Sequence, residues 1–244
     1  MKNNKLAISI IALIFVLILG GFLAYGYYQR ATYKITRPVV SMQIEGYGTV
    51  KIELYPDMAP NTVENFIKLI NEGYYNGLTF NNVEETLIQS ENTEESEYTI
   101  NGEFSRNGYK ENELKFERGT VGIYREDYTY YASLDSNLIQ EGYNSGYADF
   151  FIMLQDEEER NGYYTAFGKI IEGMEIVDKI AKLETKIETN KETGETIETT
   201  EPVNAPVISN VTVDTFGVEY GQPEVKERFD INSFVMEKIY GISY

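Results

Sequence analysis

The side chains that most often carry catalysis are missing from this chain. Neither Cys nor His occurs among its 244 residues. That removes thiolate nucleophiles, disulfides, imidazole acid–base pairs and the usual zinc ligand sets. Two acidic runs, Asp156-Glu157-Glu158-Glu159 and Glu91–Glu97, present oxygen ligands of the kind Ca²⁺ takes. Both lack the alternating ligand spacing of a dedicated calcium loop, so they read as solvated charge and no metal is expected. The formal net charge is -18, and every charged residue in 1–37 is basic (Lys2, Lys5, Arg30, Lys34, Arg37), so the remainder is more acidic still. Such a surface argues against nucleic-acid binding and is compatible with solubility near an anionic envelope.

The elements that must position any site fall into an order. Residues 6–28 contain no charge, and their centre, LAISIIALIFVLILGGFLA, has the length of a single membrane-spanning helix. Lys2 and Lys5 precede it, and Tyr25, Tyr27 and Tyr28 suit an interfacial belt. The segment reads as an uncleaved anchor with the remainder outside the cytoplasm; the alternative is a signal peptide cleaved near Ala24-Tyr25-Gly26. Residues 29–37 read as a tether, 38–218 as the domain and 219–244 as a tail with a short amphipathic helix carrying Phe234, Val235 and Ile239.

Within the domain, Val39–Glu45 and Thr49–Tyr55 alternate in polarity and flank a Gly-containing turn, a hairpin pattern. A helix begins near Pro60, where a missing N–H is harmless, and carries Val63, Phe66, Ile67 and Ile70 as one stripe. Gly73 ends it. Leu78–Phe80, Thr86–Gln89, Asp149–Leu154, Tyr163–Ile171 and Val207–Thr215 read as strands, and Met174–Ala181 as a second helix. The stretch 125–147 reads as a long surface insertion, and 185–200 as an exposed hairpin or a flexible acidic arm. Many short strands with two good helices point to a closed β-barrel with helices over its ends.

Four segments follow one another: VKIELYPDMAPNTVENFIKLINEGYYNGLTF, YTINGEFSRNGYKENELKFERGTVG, FFIML and AFGKIIEGMEIVDKIAKLET. In that order, over about Val39–Val218, they resemble the cyclophilin family of peptidyl-prolyl cis-trans isomerases. The resemblance implies an eight-stranded antiparallel barrel capped by two helices, with the active groove on its outer face. The implied chemistry is rotation about the prolyl amide, whose barrier is about 18–20 kcal/mol because resonance must be broken. It needs an apolar pocket for the proline ring, a polar groove for the flanking peptide, an Arg donating to the prolyl nitrogen and a Gln holding the substrate carbonyl. No covalent intermediate or cofactor is implied.

Carried over position by position, the resemblance puts Asn82 at the family's Arg and Gln89 at its Gln. It puts Phe80, Leu87, Tyr124, Phe151 and Tyr164 in the substrate groove. Asn82 cannot make the charge-assisted fork of an Arg, and Tyr124 stands where the family has a small Ala. Arg125 and Arg160 lie near the groove on the same alignment. Three readings follow. The first is a membrane-anchored isomerase acting on proline-containing segments of secreted or envelope proteins, with weak or lost activity. The second is a non-catalytic module holding a protein partner in the altered groove. The third is a structural envelope protein that makes contacts through its insertion, arm and tail.

Overall fold

The structure, a computed structural model, describes residues 13–27, 36–92, 96–189 and 195–241. Two compact units divide at Thr36/Arg37. The first contains helix α1, residues 13–27. Fifteen of its residues are described, and among the described residues no helix is long and apolar enough to cross a membrane, which takes roughly 20 residues. The rest of the expected 6–28 span lies outside the described residues, as do 29–35 of the tether and 190–194 of the arm. Arg37 belongs to the second unit, where its guanidinium pairs with Asp57 and Glu53 and covers Tyr55 at 3.8 Å.

The second unit is built on β1 (Val39–Ile44), β2 (Gly48–Leu54), β3 (Phe80–Val83), β4 (Leu87–Ser90), β5 (Tyr98–Thr99), β6 (Thr120–Ile123), β7 (Phe150–Met153), β8 (Thr165–Glu172), β9 (Thr185–Thr189), β10 (Thr196–Pro202), β11 (Ile208–Asp214) and β12 (Lys226–Glu227). Eight of these form one antiparallel sheet in the order β11-β1-β2-β8-β6-β7-β4-β3. The closed barrel expected from the sequence is a curled sheet whose edges meet at an isolated bridge, Thr79 to Val207, flanked by Phe80 N–H to Pro206 O (3.0 Å) and Ile208 N–H to Leu78 O (2.8 Å). The closing contacts are made just before and at the start of β3, which begins at Phe80, two residues after the expected Leu78, and Gly77 N–H adds a bond to Ile208 O (2.8 Å).

Helices α2 (Pro60–Asn71) and α4 (Met174–Ile180) cover the sheet; α3 (Leu138–Tyr143) lies in the 125–147 stretch and α5 (Ile231–Tyr240) in the tail. The stripe of α2 is fully committed, with Val63, Phe66, Ile67 and Ile70 all buried. Each such side chain contributes about 1.5–3 kcal/mol. Gly73 stops the helix with a left-handed φ of 74°, a conformation that favours glycine. The stretch 125–147 is not wholly superficial. Arg125, Tyr128, Leu138 and Gly142 are buried, and Gly146 bridges Ile100. Its Tyr- and Asn-rich composition hid those few apolar anchors. The arm is a hairpin, β9 with β10, that leaves Ile187 and Ile197 exposed. The tail returns to the domain: β12 pairs with β5, and Asn61 and Glu224 bond through both backbone groups of Glu224.

The start of α2 is held by a buried acid from another segment. Glu103 accepts from Asn61 N–H (3.0 Å), Thr62 N–H (2.8 Å) and Thr62 Oγ1 (2.7 Å). Burial pushes its carboxyl up, and the Thr62 and Asn61 donors oppose that shift. A carboxylate there meets helix N–H groups that have no partner within the helix. Glu103→Gln is expected to lower stability by about 2 kcal/mol, because an amide presents a donor where two N–H groups already point. Urea unfolding of the two proteins checks this; equal midpoints would remove the capping role.

Candidate active site on the outer face of the sheet

Alternation along the strands divides the aromatic residues between two faces. Phe150 and Ile152 point into the main core with Phe66, Phe80, Ile88 and Phe167. Phe151 and Met153 point outward and form a second cluster with Leu87, Phe116 and Ala166, against which Leu114, Tyr124 and Tyr164 pack. Cross-strand partners share a face. The register therefore sets up a row, Asn82–Gln89–Phe151–Gly122–Ala166, across β3, β4, β7, β6 and β8.

An irregularity puts Asn82 in that row. The β3–β4 register shifts between Phe80 and Asn82. In a regular strand, residues 80 and 82 would face the same way. The extra residue sends Phe80 inward, 6.0 Å from the Phe150 ring, and leaves Asn82 outward beside Gln89. Asn81 braces the bulge by exchanging hydrogen bonds with the Glu91 backbone at 2.9 and 3.0 Å. The structure thus gathers Asn82, Leu87, Gln89, Tyr124, Phe151 and Tyr164, while Phe80 lies in the interior.

Asn82 donates from Nδ2 to Glu84 Oε1 at 3.2 Å, and its Oδ1 is buried with no hydrogen-bond partner. Gln89 is 4 % exposed and Phe151 1 %. The Phe151 ring stacks on Phe116 (5.6 Å, 24°) and meets Tyr164 edge-on (5.8 Å, 89°). Gly122 makes this possible, since a Cβ there would lie 2.4 Å from Phe151 Cζ and 2.7 Å from Phe116 Cε1. The Arg160 guanidinium lies 5.4 Å from the Phe151 ring centre and 5.3 Å from that of Tyr164. Arg125 is committed elsewhere, with Nε on Tyr163 O and Nη1 on Glu126 O, both at 2.8 Å.

Phe116, Gly122, Met153 and Ala166 are site residues that the sequence reading missed. A glycine inside the apolar run Val121–Ile123 is a signal of close approach, and Leu114 and Phe116 alternate around Lys115 as a packed edge would. Phe116 is held at both ends of its peptide unit: its N–H donates to Asn161 Oδ1 (2.9 Å) and its O accepts from Glu157 N–H (2.8 Å).

Tyr124 separates this cluster from a cavity of about 240 Å³ that is also lined by Glu91, Glu126, Asp149 and, from the tail, Arg228 and Phe229. Burial raises the Tyr124 hydroxyl well above its ordinary range. Asp149 is pushed up to about 6, chiefly by burial; Glu91 and Glu126 add to the shift and the Asn92 N–H opposes it. Its folded value thus exceeds the unfolded one of 3.8. The folded state binds the extra proton, so the stability that Asp149 contributes is full below 3.8 and is lost as pH rises through 6. Asp149→Asn is expected to flatten that slope and stabilise the protein at pH 7.5 by about 1–3 kcal/mol. Urea midpoints at pH 4.5 and 7.5 measure it, and an unchanged difference between the two pH values would refute it.

The comparisons with known proteins bear on this geometry. The family model described as cyclophilin type peptidyl-prolyl cis-trans isomerase/CLD matches residues 39–213. A probable peptidyl-prolyl cis-trans isomerase of Brucella suis biovar 1 is 33% identical over 153 residues, 55% of this chain and 67% of that protein. Peptidyl-prolyl cis-trans isomerase B of Bacillus subtilis (strain 168) is 30% identical over 144 residues, 57% of this chain and 87% of that protein. A crystal structure of a cyclophilin type peptidyl-prolyl cis-trans isomerase from Cryptosporidium parvum superposes with a TM-score of 0.54 at 21% identity, covering 73% of this chain and 98% of that one. It shares the fold. From the curled eight-stranded sheet, the outward row Asn82–Gln89–Phe151 and a family match that runs from β1 into β11, the chain belongs to the cyclophilin-type peptidyl-prolyl cis-trans isomerase family.

Proposed function

We propose that this protein is a slow prolyl isomerase whose groove has been remodelled, acting on proline-containing segments of secreted or envelope proteins. The observation that carries the reading is the outward row in which Gln89 stands directly opposite Phe151 on the neighbouring strand. Phe151 offers an aromatic wall for a proline ring, and Gln89 an amide for the adjoining carbonyl. Asn82 completes the row with an amide where the family uses a guanidinium. A missing preorganised donor at a developing charge typically costs about 2.7–4 kcal/mol, or 10²–10³ in rate. The cluster is also tightly filled, so a proline ring enters by displacing Tyr164 from Phe151.

Two-dimensional exchange NMR on the full chain with a set of Xaa-Pro peptides tests this. Turnover well above the uncatalysed rate, yet below that of ordinary family members, is expected. Peptide binding without turnover would instead favour a non-catalytic binding module, a reading supported by Asn82 at the family's Arg position and by Tyr124 in the altered groove. The proposed place of action is outside the membrane, next to the uncharged segment 6–28, and the acidity of the remaining chain supports it. Loss of the protein from a carbonate-washed membrane pellet would count against that location.

A further inference from the structure

We infer that Arg160 supplies the guanidinium that Asn82 lacks, entering from the β8 side of the Phe151 ring rather than from β3. The inference rests on the isomerase reading above. Rotation about a prolyl amide localises the nitrogen lone pair, and an N–H donor that meets that lone pair lowers the barrier without any bond being made or broken. The donor must therefore lie beside whatever holds the proline ring. Arg160 does: its guanidinium carbon is 5.4 Å from the Phe151 ring centre. A proline packed on that ring at ordinary contact, about 3.5–4.0 Å between carbons, falls within the same radius.

The guanidinium is also positioned in advance. Arg160 closes a short 3₁₀ turn, Glu158–Arg160. The chain on either side of it is pinned to Phe116, through Glu157 N–H before it and Asn161 Oδ1 after it. Its Nε donates to Glu157. Among the described residues neither Nη makes a hydrogen bond, so the forked end remains available to a ligand. Contact with both Phe151 and Tyr164 desolvates the group in part, and its side chain is 22% exposed. Partial burial strengthens a charge-assisted donor. Arg125 cannot take this role, since its Nε and Nη1 are consumed by backbone carbonyls and it is 7% exposed.

The test is a comparison of the full chain with Arg160→Gln and Arg160→Lys by exchange NMR, with peptide affinity measured separately. Arg160→Gln is expected to lower kcat/KM at least tenfold, mainly through kcat, with peptide affinity changed less than threefold. Arg160→Lys, which keeps the charge but loses the planar fork, is expected to fall between the two. Urea unfolding establishes that each variant is folded; should the Gln variant fail to fold, the Lys variant carries the test alone. Turnover in the parent that neither substitution alters, or that either one raises, overturns this inference and leaves the isomerase reading intact. A parent that binds peptide without turnover overturns the isomerase reading, and this inference falls with it.

Discussion

Asn82→Arg is expected to raise kcat/KM for Xaa-Pro peptides by about 10²-fold, the size of effect that a single preorganised donor exerts at a developing charge. The position can receive the longer side chain. Asn82 is directed outward by the β3 bulge and lies opposite Gln89. Its present donor goes to Glu84 Oε1 at 3.2 Å, and a guanidinium could take over that partner as an ion pair. Removing the amide also eliminates the buried Oδ1 that has no hydrogen-bond partner, so the substitution carries no loss of a satisfied acceptor. With Arg160 already beside the Phe151 ring, the two guanidinium groups would compete for one lone pair. In the Asn82→Arg background, Arg160→Gln should therefore lose less than it does in the parent, a non-additivity that a double-mutant cycle reads directly. Exchange NMR on the four proteins is the measurement. No gain from Asn82→Arg would mean that the groove differs from the family's by more than one missing donor.

Much of this arrangement could be read from residues that repeat with a period. The alternation of Val50, Ile52 and Leu54 and the i, i+3, i+4, i+7 stripe of α2 are local patterns, and all of those side chains are buried where the pattern places them. The left-handed Gly73 is likewise a local stop signal. The assignment of Gln89 and Phe151 to one groove came from family resemblance, and the register puts them face to face.

The residues that escaped the sequence owe their places to non-local events. One inserted residue in β3 reverses which side chains face out, because strand periodicity is two. Phe80 and Asn82, neighbours in any motif, end on opposite sides of the sheet for that reason. Phe116 reaches the cluster through hydrogen bonds to Glu157 and Asn161, both far away in sequence, and no local pattern announces such pairing. Arg160 ends an acidic run, and only the family resemblance, not the local pattern, places it near the groove. Its contact with Phe151 depends on how that loop is pinned to Phe116. The same holds for Tyr128 and Leu138, isolated apolar anchors in a polar stretch.

The second large effect is expected at Phe151. Phe151→Ala should destabilise the protein by about 3–5 kcal/mol, the usual range for deleting a buried phenyl group. It removes the stack on Phe116, the edge contact with Tyr164 and the ring beside Arg160 together. Its neighbour supplies the control. Phe150 faces the opposite way, into the main core with Phe66 and Phe80, so Phe150→Ala should lose a similar amount of stability through a cluster that touches no peptide. The two variants must then part in function. Below their unfolding transitions, Phe150→Ala should keep near-parental turnover per folded molecule, whereas Phe151→Ala should lose at least tenfold in kcat/KM with weakened peptide affinity, because the wall for the proline ring is gone. Urea midpoints fix the folded fraction and exchange NMR the rate. If the two alanine variants retained equal activity per folded molecule, the chemistry would have to lie off this face of the sheet, and the outward row of Asn82, Gln89 and Phe151 would be packing rather than a site.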